Sequence, residues 1–128
     1  MFMKKVMVFG AFDVLHPGHM NFLKHAKEKG DFLIAVVGRD MSVKKIKGQF
    51  PVENETMRLK KISGYVDEAV LGDSNDFYKV ITDKDPDLIC LGYDQNEFEL
   101  RKRFENIEII RLQSYSPDKF KSSLLRNK

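Results

Sequence analysis

Cysteine is nearly absent from this chain: Cys90 is the single one among 128 residues. That excludes an intrachain disulfide framework and a cysteine-rich zinc site. Long apolar runs are missing as well, and none approaches the roughly 18–20 residues that a spanning helix needs. The N-terminus runs straight into a strand-like segment. It lacks the basic start, apolar stretch and small-residue cleavage site of a signal peptide, so a cytoplasmic protein is expected. Charge of one sign is in small excess only: 22 Lys plus Arg stand against 19 Asp plus Glu, a net +3. That balance by itself does not imply nucleic-acid binding. There is no GxxxxGK[ST] phosphate loop and no GxGxxG fingerprint. A P-loop kinase and an NAD-dependent dehydrogenase are therefore unsupported.

What is present is a globular composition, 42% hydrophobic and 32% charged. The length suits one domain over 1–128 with a core of its own. Apolar strand-like segments at 5–9, 31–38, 68–72, 87–92 and 107–112 alternate with helical patterns at 17–29, 54–63, 76–82, 96–104 and 117–125. In the first helix Met20, Leu23 and Ala26 recur on one face. The third offers Phe77, Val80 and Ile81, and the second Met57, Leu59 and Ile62. The stretch 39–51 is expected as a polar, basic loop. Strands alternating with helices predict an α/β fold with a parallel sheet and right-handed crossovers. In such sheets ligands bind beyond the carboxyl ends of the strands, where strand order reverses.

The segment after the first strand, "GAFDVLHPGH", carries the strongest chemical signal. Pro17 suits a first helical position, and Gly18 lets backbone amides approach a ligand. A helix N-terminus favours phosphate through its free N–H groups and its dipole. His16 and His19 are three residues apart and share a face. Both rings can donate to phosphate oxygens and stabilise charge developing there. The plainer alternative is that the two histidines only cap the helix. Zinc lacks support, because His25 is six residues past His19 on another face and Cys90 lies inside a strand. Lys44, Lys45 and Lys47 form one basic knot, and Arg101, Lys102 and Arg103 another that reads as a solvated face. A knot of this kind suits a small anionic ligand. Cys90 reads as a small buried hydrophobe.

"GAFDVLHPGH", "VDEAVLGD" (66–73), "PDLICLGYDQ" (86–95) and the late "KSS" (121–123) together resemble the HxGH nucleotidyltransferases. That superfamily includes cytidylyltransferases, pantetheine-phosphate adenylyltransferase and the archaeal FAD synthase group. The resemblance covers nearly the whole chain. It implies a Rossmann-like domain with five parallel strands in the order 3-2-1-4-5 and helices on both faces. It implies nucleotidyl transfer, with His16, His19 and Lys47 as catalytic residues. Nucleotide contacts are implied at Ala11, Phe12, His16, Pro17, Gly18, His19, Asp94, Tyr115, Ser122 and Ser123. Acceptor phosphate is implied at Lys44, Lys47 and Arg58. Relatives usually carry Thr or Ser where this chain has Ala11, which removes one hydroxyl from the phosphate site.

No metal ligand is assigned in the protein. A divalent ion, Mg2+ or similar, is expected to travel mainly on the nucleotide phosphates. A homodimer is implied by analogy. The chain lacks the "RTxGIST"-like segment of the cytidylyltransferases before the last helix. "LGYDQ" and the short length resemble the archaeal FAD synthase group, so ATP and FMN are the expected substrates. A polyol-phosphate cytidylyltransferase using CTP and a non-enzymatic nucleotide-binding module are the alternatives. A flavin acceptor also needs an apolar or aromatic surface, for which Phe12, Tyr93, Phe98 and Tyr115 are the candidates.

Overall fold

The computed structural model describes residues 3–92 and 97–112. The first strand, β1 (Lys5–Gly10), leads into α1 (Pro17–Lys27) and β2 (Phe32–Val37). Then come α2 (Asp40–Lys47), α3 (Glu55–Ile62), β3 (Glu68–Leu71), α4 (Lys79–Lys84), β4 (Leu88–Leu91), α5 (Phe98–Arg103) and β5 (Glu108–Arg111). All strand pairs are parallel, and the sheet order is β3-β2-β1-β4-β5. The expected last helix at 117–125 lies outside the described residues.

Alternation along β1 divides the core. Val6 and Val8 join Leu23 and Ala26 of α1 and Ile62 of α3 on one face of the sheet. Met7 and Phe9 join Val80 and Ile81 of α4 and Leu100 of α5 on the other. The central strands are apolar on both faces because helices cover both. Cys90 is fully buried in β4, and burial pushes its thiol pKa up to about 11. It behaves as the small hydrophobe its sequence context suggests.

The order of strands puts β1 between β2 and β4. The chain leaves β1 toward β2 on one side, and β4 returns on the other. The crevice at their carboxyl ends is the switch point.

Three sequence readings change. The expected basic loop at 39–51 contains a helix, α2, so Lys44, Lys45 and Lys47 stand on its last turn. Only Val43 of that helix is buried, so an apolar period was barely visible. The helix holds because Asp40 opens it and three lysines close it, matching its dipole. Gly48, at φ 82°, ends it in a left-handed conformation. The second change concerns α4, which starts at Lys79 rather than near Asp76. Asp73 accepts the N–H groups of Asn75 and Asp76, and Asp76 that of Tyr78, so side-chain turns hold the chain there. Phe77 precedes the helix, half exposed, with its ring 5.0 Å from that of Phe9. The third is Met57, which faces solvent while Ile62 enters the core.

Candidate active site

The site begins at the end of β1. A Cβ on Gly10 would come 3.0 Å from the Phe12 ring, so the glycine lets that ring fold back against the strand. Phe12 is 4% exposed and belongs to the core. It is therefore not available as a flavin wall. Phe12 and Val14 both adopt left-handed backbone, φ 51° and 49°. Non-glycine residues rarely do so, and two within three positions mark a loop held by its surroundings.

The holding groups come from far along the chain. Arg58 of α3 is completely buried. Its Nε donates to the Glu53 carbonyl at 2.8 Å, and one terminal nitrogen donates to the Ala11 carbonyl at 2.8 Å. The other meets the Asp40 carboxylate at 2.7 Å. Asp13 accepts the N–H groups of Val52 and Glu53, at 2.7 and 2.9 Å, and the Glu53 carboxylate accepts that of Val14. Burial raises the Asp13 pKa, but these backbone bonds, helped by Arg58 and Lys47, bring it below the ordinary value. Glu55 completes the frame by accepting from Arg39 and from the Asp40 N–H. The 11–14 loop is thus bolted to the segment between α2 and α3. The sequence reading assigned Arg58 to acceptor phosphate. In the structure the guanidinium faces inward and all three of its nitrogens are engaged, so it positions the loop.

His16 then begins α1. It is the N-cap, in extended conformation, and its Nδ1 accepts the Gly18 N–H at 3.0 Å. The His19 Nδ1 accepts the His16 N–H at 3.3 Å. This is a capping box in which two imidazoles replace the usual hydroxyl and carboxamide. The rings stack, with centroids 3.8 Å apart and planes 26° from parallel. Phe12 supports His19 edge-on at 5.8 Å. A neutral imidazole that accepts at Nδ1 carries its proton on Nε2. Capping therefore does not compete with anion binding. It sets both rings in the tautomer whose Nε2–H is a donor.

Half-buried His19 has its pKa lowered from 6.5 to about 4. Burial is the main cause, the charges of His16 and Lys47 add to it, and Asp13 opposes. His19 is thus a neutral donor at physiological pH. Between about pH 4 and 6.5 the unfolded chain takes up a proton that the native ring resists. Stability from this residue is full above pH 6.5 and is lost as the pH falls toward 4. The urea midpoint should decline across that window, and His19→Gln should flatten the decline. An equally steep decline in the variant would assign the pH dependence to other groups.

Lys47 ends α2 close enough to act electrostatically on both His19 and Asp13. Lys44 stands a turn earlier, donating to the Gly48 carbonyl, with its ammonium 5.5 Å from the centre of the Phe50 ring. Lys45 is exposed. Of the second basic knot, Arg101 pairs with Glu97 and donates to the Ile109 carbonyl, while Arg103 lies over Tyr78. These arginines brace α5 on the far face of the sheet, and Phe98, at the start of that helix, is exposed. Tyr93, Asp94, Tyr115, Ser122 and Ser123 lie outside the described residues.

Beside His16 an open groove of about 580 Å³ runs along α1, lined by Leu15, Pro17, Met20, Asn21, Lys24 and Tyr65. The Asn21 Nδ2 is buried there without an acceptor among the described residues. No group of three His, Cys, Asp or Glu side chains among the described residues forms a metal cage. No described helix is long and apolar enough to cross a membrane. Sequence reasoning found the histidines and lysines but missed Asp13, Asp40, Glu53 and Glu55. Asp13 lies inside the "FDVLHPGH" segment, and that position was the available signal.

Comparison with known proteins gives a consistent picture. The cytidylyltransferase-like family profile matches residues 7–127. A FAD synthase of Aciduliprofundum boonei is 44% identical over 121 residues, covering 88% of this chain and 80% of the relative. One from Thermoplasma acidophilum is 38% identical over 134 residues, covering 98% and 94%. Among solved structures, one described as a lipopolysaccharide core biosynthesis protein from Thermoplasma volcanium superposes with a TM-score of 0.84. It is 39% identical and covers 90% of this chain and 100% of its own. A pantoate-beta-alanine ligase from Francisella tularensis, at 17% identity and a TM-score of 0.65, covers 98% of this chain and 66% of its own, and shares the fold alone.

Proposed function

This chain belongs to the cytidylyltransferase-like family, and on that premise we infer that it is an FMN adenylyltransferase. It transfers AMP from ATP to the phosphate of FMN and gives FAD and pyrophosphate. The observation that carries this reading is the likeness to archaeal FAD synthases over most of the chain. The stacked His16–His19 pair at the head of α1 supplies the chemistry.

An FMN phosphate oxygen attacks the α-phosphorus of ATP. A new P–O bond forms as the bond to the β-phosphate breaks, and pyrophosphate leaves with that electron pair. The reaction needs in-line positioning and charge stabilisation rather than a covalent nucleophile. In this reading the triphosphate sits at the N-terminus of α1, where the positive end of the helix dipole favours it. Pro17 brings no N–H that would need a partner, and Gly18 leaves room for close approach. The His16 and His19 Nε2–H groups donate to oxygens on which negative charge grows. Lys47, at the end of α2, neutralises the acceptor phosphate or the leaving group, and Lys44 supports it.

The described side chains do not fit a resident metal. Both oxygens of Asp13 are already committed to backbone N–H groups. A divalent ion such as Mg2+ then enters on the nucleotide phosphates, which is its usual manner. We place the enzyme in the cytoplasm and expect a homodimer. Asp94, Tyr115, Ser122 and Ser123 remain the residues proposed to complete the nucleotide site.

The test is a matrix of ATP and CTP against FMN and glycerol 3-phosphate, with Mg2+ or Co2+, read by pyrophosphate release and flavin chromatography. FAD should appear only with ATP and FMN. CTP-dependent consumption of glycerol 3-phosphate without FAD would replace this reading with a cytidylyltransferase. No pyrophosphate from any pair would leave a nucleotide-binding module.

A further inference from the structure

The described surface carries an apolar patch at the catalytic end of the sheet that neither the fold nor the histidine chemistry explains. Val14, Phe50 and Val52 are 50%, 57% and 84% exposed. They belong to two segments far apart in sequence, brought together by the bonds from the Val52 and Glu53 N–H groups to Asp13 and from the Val14 N–H to Glu53. An aromatic and two β-branched side chains are held in solvent on loops that carboxylates pin in place. Clustered exposed apolar side chains of this kind mark binding surfaces. The patch has a charge beside it. Lys44 stands over the Phe50 ring at 5.5 Å, and Lys47 ends the same helix. Val14 is two residues from His16.

A ligand that suits both parts has a flat aromatic body and an anionic tail. We propose that this surface is the flavin subsite: the isoalloxazine ring of FMN rests on Phe50 and Val52, with Val14 at its edge, and the phosphate reaches Lys47 and the histidine pair. The proposal rests on FMN being the acceptor. It moves the flavin away from Phe12, which is core, and from Phe98, which stands on the opposite face of the sheet. The groove along α1 is the competing location. Lys24 is the single Lys or Arg among its described lining residues. The patch has two lysines, one of them already coupled electrostatically to His19. Charge complementarity therefore favours the patch for a phosphorylated flavin.

Steady-state kinetics on Phe50→Ala, Phe50→Tyr, Val52→Ser and Tyr65→Ala test this. Loss of an aromatic stacking partner should raise KM for FMN about tenfold in Phe50→Ala. Val52→Ser should raise it less, while kcat and KM for ATP stay near wild type. Phe50→Tyr should restore binding, because a ring is retained. Quenching of FMN fluorescence by the protein without ATP should weaken in the same order. All three side chains are exposed, and unchanged melting temperatures would verify intact folding. If the wild type makes FAD but Phe50→Ala keeps its FMN affinity, the patch is not the flavin subsite. A shift confined to Tyr65→Ala would place the ring in the α1 groove and overturn the proposal. A wild type that makes no FAD but uses another acceptor refutes the FMN reading itself, a distinct result.

Discussion

The double variant His16→Asn/His19→Gln is expected to fold as well as the natural chain and to lose about 100-fold or more in turnover. Asparagine at an N-cap still accepts a backbone N–H, and glutamine three residues on still reaches back to the cap. Both capping bonds of α1, from Gly18 to His16 and from His16 to His19, therefore keep an acceptor. The two Nε2–H donors and their stacked, fixed geometry disappear. Single alanine variants would confuse the two roles, because each removes a cap and costs about 1 kcal/mol as well as a donor. Turnover under saturating ATP and FMN, set beside a urea midpoint, separates them. If the double variant keeps turnover within about threefold of wild type, the histidines are only a helix cap. Capping and donation use opposite nitrogens of each ring, and for that reason one experiment can divide them.

Replacing Arg58 by methionine should be the most destabilising of the changes considered, by about 3 kcal/mol. Methionine fills much of the volume but leaves the Ala11 and Glu53 carbonyls without a donor and Asp40 without its cation. Arg58→Lys should recover little, since one ammonium cannot reach three acceptors that a planar guanidinium serves at once. Turnover should fall in both variants even well below their melting temperatures, because the 11–14 loop that delivers His16 loses its anchor. Urea unfolding and turnover at low temperature are the measurements. A wild-type midpoint combined with a raised KM for FMN alone would return Arg58 to the phosphate-contacting role that family resemblance implies. A complete failure to fold would agree with its buried position but leave the loop argument to Asp13→Asn. That variant keeps one acceptor for the Val52 and Glu53 N–H groups and should lower turnover with a milder loss of stability.

The described part of the fold was legible because its signals are local. Continuous apolar segments such as 32–37 announce strands buried on both faces, and their alternation with helices implies a parallel sheet. The histidine pair was legible for the same reason: His16, Pro17, Gly18 and His19 span a single helical turn, so spacing and capping chemistry determine their geometry without help from elsewhere. Elements with weak local signals were not legible. A helix with one buried residue, α2, reads as a loop, and a turn built on Asp73 and Asp76 reads as helix.

Tertiary structure decided what holds the pair and what surrounds it. Arg58 meets Ala11 across 47 positions of sequence, and Asp13 meets Val52 across 39. No periodicity connects residues so far apart, because only the folded sheet, by placing β1 beside β2, brings their following loops together. The same juxtaposition turned Phe12 inward and left Phe50 outward, although both are phenylalanines in loops. The sequence alone thus determined the donors and the sheet that presents them. Which basic residue is buried to hold the loop and which stay exposed, and which aromatic residues remain at the surface, depended on packing between distant segments.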